Sequence, residues 1–292
     1  MRGNAAEHEL VAPGSLEAVL DLLASSPGQW TPIAGGTELM VAFAAGRLSA
    51  DKLVSLWGVR ELRFIDTQPD SIVIGAGTTF TDLRTDPRIA AEFPLLDKAA
   101  AWIGAIANQT RATLGGNLVN GSPAADSSPA LLVYDADIEL ISVRGKRRMP
   151  YREFHTGYKQ NAMTAEELML AVHLPRRFSQ HRQYLRKVGT RRAMAISKVA
   201  LGATAQMRDS VIAEIRVAAA SLAPFPARLY QTEAALLDKT LHANVIESAR
   251  RALLAEAQPI DDIRSNALYR KHIGANLLEE FLRSLTTEPA PQ

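Results

Sequence analysis

The stretch from residue 113 to residue 126 constrains the fold of this chain more than any other. It reads TLGGNLVNGSPAAD, which is rich in small residues and turn formers, yet it lies between two apolar elements. Glycine lets the backbone approach another group closely, and loops of this composition that are held inside a fold typically contact a ligand. We therefore expect residues 113–126 to form a loop against a bound molecule.

A second glycine pair, Gly35-Gly36, follows a short apolar segment at 30–34 and precedes a predicted helix at 38–45. N–H groups at such turns attract phosphate, so the two glycine pairs together indicate a bound anion. Neither is a Rossmann fingerprint, because residues 32–38 lack the third glycine, and no Gly-Lys-Ser/Thr of a P-loop occurs. Taken alone, each pair is more typical of a structural turn than of a ligand site.

The composition describes an ordinary globular chain and excludes several functions. The 292 residues are 47% hydrophobic and 22% charged, which is enough for one large or two modest domains. The net charge of +2 comes from 33 basic and 31 acidic residues spread along the chain, so no field of one sign favours nucleic acid. We find no signal-like start and no apolar segment of membrane-spanning length, which predicts a cytoplasmic protein without a membrane span.

Redox-active sulfur is absent from this chain because it contains no cysteine. Disulfides, thiolate nucleophiles and an iron–sulfur cluster held by its own thiolates are therefore excluded, and any such cluster must lie on a partner. The six histidines show no metal-ligand spacing, so we predict no metal site. No catalytic acid or base is identified either.

The remaining pattern predicts an α/β first part and a second part in which strands precede helices. Helices are predicted at 14–25 with Ser15 as cap, at 94–107, after Pro129 with Ser127-Ser128 as cap, and at 230–238, 243–257 and 264–285. Antiparallel strands are predicted at 184–188, 199–208 and 211–221, with a turn at 208–210. Residues 175–183 form the predicted linker, and the tail from Thr286 is predicted to be frayed.

Seven segments in this order resemble the FAD-binding medium subunits of the xanthine dehydrogenase and carbon monoxide dehydrogenase class, the molybdenum hydroxylases. The resemblance covers nearly the whole chain and is far more specific than any single motif. The segments are AGGTE at 34–38, TLGGN at 113–117, SPAADSSP at 122–129, GYK at 157–159, EEL at 166–168, RKVGTRRAMAIS at 186–197 and DIRS at 262–265.

The resemblance implies a fold similar to that of vanillyl-alcohol oxidase flavoproteins, in the α+β (α/β) class. An FAD-binding domain at 1–176 would comprise two lobes, at about 1–58 and 59–176. A smaller α/β C-terminal domain at 183–286 would contain a three-stranded antiparallel sheet and helices.

The resemblance also implies a set of FAD-binding residues. The backbone of 33–38 and of 113–117 would wrap the diphosphate with neutral N–H donors, and Asn117 and Asn120 would bond the phosphate or ribitol. Asp126 would bond the sugar–adenine end, while Met169 and Lys187 would border the isoalloxazine ring. A surface strand lysine is the alternative for Lys187. The full set is Ile33, Ala34, Gly35, Gly36, Thr37, Glu38, Thr113, Gly115, Gly116, Asn117, Asn120, Asp126, Met169 and Lys187.

By the same resemblance the chain is the FAD-carrying electron-transfer subunit of an oxidoreductase complex. Molybdenum–pterin would lie on a large subunit and [2Fe-2S] clusters on a small subunit, in a dimer of heterotrimers, with NAD or another compound as electron acceptor. The AGGT form at 34–37 favours the xanthine type over the carbon monoxide type. The sequence departs from some relatives in two places. Ile103 stands where an aromatic residue stacks on the flavin in those relatives. Ala193-Met194-Ala195 stands where many relatives carry an acidic residue before the isoleucine.

Two other functions are weighed against this one. The first is a free-standing FAD-dependent oxidase of the vanillyl-alcohol oxidase class, which the short second domain and the absence of cysteine disfavour. The second is a nonenzymatic protein that has lost flavin, which the intact glycine segments disfavour.

Overall fold

The first lobe is built on three short strands that run parallel to one another. In the computed structural model, which describes residues 3–191 and 194–286, these are β1 (Glu9–Val11), β2 (Thr31–Ile33) and β3 (Lys52–Ser55), in the order β1-β3-β2. Helix α1 (Leu16–Ser25) follows β1 and helix α2 (Leu39–Ala44) follows β2. The Ala18 N–H donates to Ser15 Oγ at 3.2 Å, which confirms the predicted cap.

The second lobe is a five-stranded antiparallel sheet with its helices packed into one large core. Its strands are β4 (Ile65–Thr67), β5 (Ser71–Gly75), β6 (Asp137–Ser142), β7 (Gly145–Pro150) and β10 (Leu168–Pro175), in the order β4-β5-β10-β6-β7. β8 (His155–Gly157) and β9 (Gln160–Asn161) form a separate hairpin. The helices are α3 (Phe80–Thr85), α4 (Pro87–Glu92), α5 (Pro94–Ala100), α6 (Ile106–Gln109), α7 (Leu114–Val119) and α8 (Ser128–Val133).

The C-terminal part is an antiparallel sheet covered by helices. Strands β11 (Arg182–Val188), β12 (Val199–Arg208) and β13 (Val211–Ala220) are the three predicted ones, and a two-residue strand β14 (Ala227–Arg228) adds a fourth that the sequence did not indicate. The predicted turn at 208–210 is confirmed, with Asp209 and Ser210 both at positive φ. Helices α9 (Tyr230–Ala234), α10 (Ala243–Glu256) and α11 (Ala267–Thr286) follow, and α10 and α11 share the core of this sheet.

Three sequence predictions about local structure are corrected. The helix predicted at 94–107 is two helices, α5 and α6, because the chain turns between them and Gly104 takes φ +52°. The region 113–126 is not a loop throughout, since it begins with α7, whose Gly116 N–H is capped by Thr113 Oγ1 at 3.1 Å. Ser127 does not cap α8 with its side chain, because its hydroxyl donates to Asn117 Oδ1 at 2.6 Å instead.

Two parts of the prediction lie outside the described residues, namely residues 192 and 193 of the RKVGTRRAMAIS segment and the tail at 287–292. Among the helices of the described chain, none combines the length and the apolar character that crossing a membrane requires.

Candidate FAD site

A cavity of about 580 Å³ lies where the two lobes meet, and both glycine pairs line it. Its volume is within the range typical of sites for small molecules and cofactors. The first lobe contributes the turn after β2, and the second lobe contributes α7 and β10. Twelve of the fourteen sequence-predicted residues line this cavity: Ile33, Ala34, Gly35, Gly36, Thr37, Glu38, Thr113, Gly115, Gly116, Asn117, Asn120 and Met169.

The turn after β2 presents five successive backbone donors. Within the described chain, the N–H groups of residues 35–39 donate to no protein acceptor, and the first N–H beyond them that is bonded is that of Met40, to Gly36 O at 2.9 Å. Gly36 takes φ +74°, a conformation that glycine adopts without strain. Successive free N–H groups in a turn with one left-handed residue form a concave anion site. This turn can therefore hold a phosphate without a lysine.

In the second glycine segment the backbone donors are already bonded within the chain. The N–H groups of residues 114–117 are all bonded within the chain: Leu114 to Thr78 O, Gly115 to Ala76 O, Gly116 to Thr113 Oγ1 and Asn117 to Thr113 O, at 2.9–3.1 Å. The expectation of free backbone donors therefore does not hold for residues 114–117, while the contact of residues 113–117 with FAD stays a prediction. The first two of these bonds depend on Thr78 and Ala76, which are far away in the sequence.

Close packing explains why glycine occupies these positions. A Cβ on Gly115 would lie 2.6 Å from Ala76 Cβ, and a Cβ on Gly35 would lie 1.7 Å from Arg111 O. Gly35 thus brings the first turn against the chain just before α7. The two glycine segments form one continuous wall of the cavity because of this contact.

The acidic side chains that line the cavity are paired with cations. Glu167 accepts hydrogen bonds from Arg147 at 2.5 and 2.8 Å, and these bonds lower the pKa of Glu167 to about 2. Glu38 Oε1 lies 3.5 Å from Lys159 Nζ. The lining cation Arg63 is itself bonded to Asp82 through two 2.9 Å hydrogen bonds. Repulsion between the lining carboxylates and an anionic ligand is therefore reduced.

The rest of the wall is largely apolar and suits flat ring systems. β2 and β3 are parallel neighbours, so the residues that follow each of them meet at the same edge of the sheet, and Leu56 donates its N–H to Ile33 O at 2.8 Å. This places Trp57 in the lining, a residue that the sequence analysis missed although the parallel pairing would have indicated it. Further apolar lining residues are Trp30, Val59, Leu62, Ile103, Met163 and Leu168.

Asp126 and Lys187 are not among the residues that line the cavity. Lys187 Nζ lies 2.5 Å from Asp126 Oδ2, and the other carboxylate oxygen accepts from Ser197 Oγ at 2.5 Å. Burial raises the pKa of Asp126, and the bonds from Lys187 and Ser197 oppose this rise. Asp126 and Lys187 thus form a buried pair that links the second lobe to the C-terminal sheet. Their predicted contacts with the sugar–adenine end and with the ring stay a prediction.

The pair nevertheless lies near the cavity. Lys187 Nζ is 3.4 Å from the carbonyl oxygen of Trp102, and the next residue, Ile103, is part of the lining. Since the ammonium and the carboxylate are both largely buried, the alternative of a surface strand lysine is wrong.

Fold and cavity together define a flavoprotein-type chain, with two lobes around a cleft for a dinucleotide and a C-terminal sheet beside it. The family described as "FAD binding domain in molybdopterin dehydrogenase" matches residues 6–177, and the family described as "CO dehydrogenase flavoprotein C-terminal domain" matches residues 184–285. The chain belongs to the FAD-binding subunits of the molybdenum hydroxylase family, the oxidoreductases of the xanthine and carbon monoxide dehydrogenase type.

Individual relatives agree with this assignment. The chain is 31% identical over 261 residues to the xanthine dehydrogenase FAD-binding subunit of Escherichia coli O157:H7, covering 89% of each chain. It is 28% identical over 270 residues to the nicotinate dehydrogenase FAD-subunit of Eubacterium barkeri, covering 91% of each. Carbon monoxide dehydrogenase from Hydrogenophaga pseudoflava superposes with a TM-score of 0.90 at 25% identity, covering 95% of this chain and 96% of that one. The resemblance and the fold class predicted from the sequence are confirmed.

Proposed function

We propose that this chain receives electrons from iron–sulfur clusters of a small partner subunit and passes them to NAD or another acceptor. A large molybdopterin subunit would oxidise the substrate, and the three chains would assemble as a dimer of heterotrimers in the cytoplasm. Bound FAD would supply a centre that exchanges electrons singly or in pairs. The single observation that carries this proposal is the row of five free N–H groups at 35–39 beside an apolar cavity.

The polar residues of the cavity would bind and orient the cofactor. The free N–H groups of residues 35–39 would hold the diphosphate, while Asn117 and Asn120, which follow the second glycine pair, would bond the phosphate or ribitol. Asn117 Oδ1 already accepts from Ser127, which fixes the amide so that its NH₂ group remains available as a donor. The apolar lining around Ile103 and Met169 would exclude water from the ring.

The Asp126–Lys187 pair would position this wall, and the contacts of Asp126 with the sugar–adenine end and of Lys187 with the ring stay predictions. Lys187 reaches the carbonyl of Trp102 and thereby supports the segment that carries Ile103. We place the boundary between the FAD-binding part, 1–176, and the C-terminal part, 183–286, on either side of the short connection before β11. Leu185 and Ala218 nevertheless pack in the core of the second lobe, so the two parts would move as one unit.

Xanthine-type chemistry is favoured over carbon monoxide oxidation by the AGGT form of the first turn, with Thr37 after the second glycine. Support also comes from the 31% identity to a xanthine dehydrogenase subunit. The hydroxylated substrate would bind to the large subunit, so this chain influences it only through assembly.

The test is to purify the chain together with the products of its neighbouring reading frames, and to assay flavin, iron and molybdenum. We expect FAD in a complex that contains both metals, and bleaching of the flavin when a purine is added without oxygen. Reoxidation by NAD would identify the acceptor. A yellow monomer that oxidises its own substrate without any metal would refute the proposal in favour of a free-standing oxidase.

A further inference from the structure

An arginine that is not itself among the residues lining the cavity stacks on a tryptophan that is. The Arg111 guanidinium carbon lies 3.7 Å from the centre of the Trp57 ring, and Trp57 lines the cavity while remaining 40% exposed. A guanidinium that stacks on an indole at this distance is attracted by the face of the ring and is held in a limited set of positions.

Both residues of this stack are anchored beside the turn with the five free N–H groups. The carbonyl oxygen of Arg111 would lie only 1.7 Å from a Cβ at Gly35, so its backbone touches that turn. Trp57 follows Leu56, whose N–H bonds to Ile33 O two residues before Gly35. Both side chains of the stack therefore start from backbone that contacts β2 or the turn that follows it.

The charge of Arg111 is also uncommitted. Within residues 3–191 and 194–286, no carboxylate oxygen lies within 4.0 Å of its guanidinium, and none of its side-chain N–H groups donates to a protein acceptor. By contrast, the lining residue Arg63 is paired with Asp82, and Lys159 is paired with the lining residue Glu38. The stack on Trp57 thus orients an arginine whose donors remain free.

We propose that Arg111, held by Trp57, is the side-chain cation that binds the diphosphate of FAD together with the free N–H groups of residues 35–39. This inference rests on the proposed FAD site and adds to it a charged residue. Arginine binds phosphate through paired N–H donors, and such charge-assisted bonds are stronger than neutral ones. Removal of the guanidinium should weaken FAD binding by about 10- to 100-fold.

The test compares the wild-type full chain, freed of flavin, with Arg111→Gln, Arg111→Lys and a control, Arg251→Gln. Arg251 is an exposed residue of α10 that lies outside the cavity lining. FAD and riboflavin, which lacks the diphosphate, are titrated at low and high salt. We expect Arg111→Gln to weaken FAD binding and flatten its salt dependence, to leave riboflavin binding unchanged, and to be partly rescued in Arg111→Lys. Arg251→Gln should resemble wild type.

The outcomes separate this inference from the proposed function. A wild-type chain that binds neither flavin would refute the FAD site itself. A wild-type chain that binds FAD, with an Arg111→Gln variant whose affinity stays within twofold, would overturn the role of Arg111 alone. Equal losses of FAD and riboflavin binding would also overturn it, because they would assign Arg111 to packing.

Discussion

Replacing Gly35 by alanine should separate the two glycine segments and abolish tight FAD binding. The added Cβ would lie 1.7 Å from Arg111 O and 2.3 Å from Arg111 C, whereas real Cβ atoms essentially never come closer than 3.0 Å to such atoms. Both obstructing atoms belong to the backbone, so a rotamer change cannot relieve the clash. The first turn must therefore move by more than about 1 Å, and overpacking of this kind costs roughly 1–3 kcal/mol of folding stability.

The effect on the cofactor should exceed the effect on the fold. A shift of this size moves the N–H groups of residues 35–39 out of the 2.7–3.2 Å range of a good hydrogen bond. Two lost hydrogen bonds to a charged group, at roughly 1.5 kcal/mol or more each, correspond to a Kd about 100-fold higher. The assay is titration of the flavin-free chain with FAD, with urea unfolding measured on the same preparation.

Gly14→Ala is the matched control, because a Cβ there would meet nothing within 4 Å. It should leave FAD binding unchanged and alter stability little. If the Gly35→Ala variant binds FAD with a Kd within threefold of wild type, the close approach of the two segments is not required for the site.

Two further predictions concern the buried polar groups. Lys187→Met should lower the free energy of unfolding by about 3 kcal/mol, because it leaves the buried Asp126 carboxylate without its cation. Adding Asp126→Asn to the same chain should restore part of that loss. Both variants are compared by denaturant unfolding, and an unchanged midpoint for Lys187→Met would contradict the pairing. Burial lowers the pKa of His155 from 6.5 to about 4, so between these pH values the unfolded chain binds a proton at this residue and the folded chain does not. The free energy of unfolding should therefore fall, by at most about 3 kcal/mol, as the pH drops through this window. His155→Gln should show a smaller fall, and parallel pH profiles of the two chains would be inconsistent with this explanation.

The two glycine turns were predictable from local chemistry, whereas their meeting around one diphosphate was implied only by the resemblance. At Gly35-Gly36 a short apolar strand runs into a glycine turn and then a helix. The small-residue run at 113–126 lies between apolar elements and has to be buried with them. The antiparallel strands after residue 182 were predictable for a similar reason, since their alternation and the turn at 208–210 are local signals.

Which of the two glycine segments provides free backbone N–H groups was not predictable. Which N–H groups remain free depends on acceptors such as Ala76 O and Thr78 O, more than thirty residues before α7. The pairing of Lys187 with Asp126 spans 61 residues and requires the C-terminal sheet to pack against the second lobe. Contacts of this kind are set by tertiary packing and have no signature in the spacing of the residues themselves.

The position of Trp57 in the cavity lining could not be predicted from the sequence either. Trp57 follows a short strand, and only the parallel pairing of β2 and β3 brings it beside Gly35 and Arg111. The sequence does not indicate which strand is the neighbour of β3 in the sheet.

A structure of the FAD-loaded chain would test the central claim most directly. The account predicts that oxygen atoms of the diphosphate lie 2.7–3.2 Å, the hydrogen-bond range, from backbone nitrogens of residues 35–39. A diphosphate bonded instead to the backbone of residues 114–117, or bound away from both glycine pairs, would contradict it.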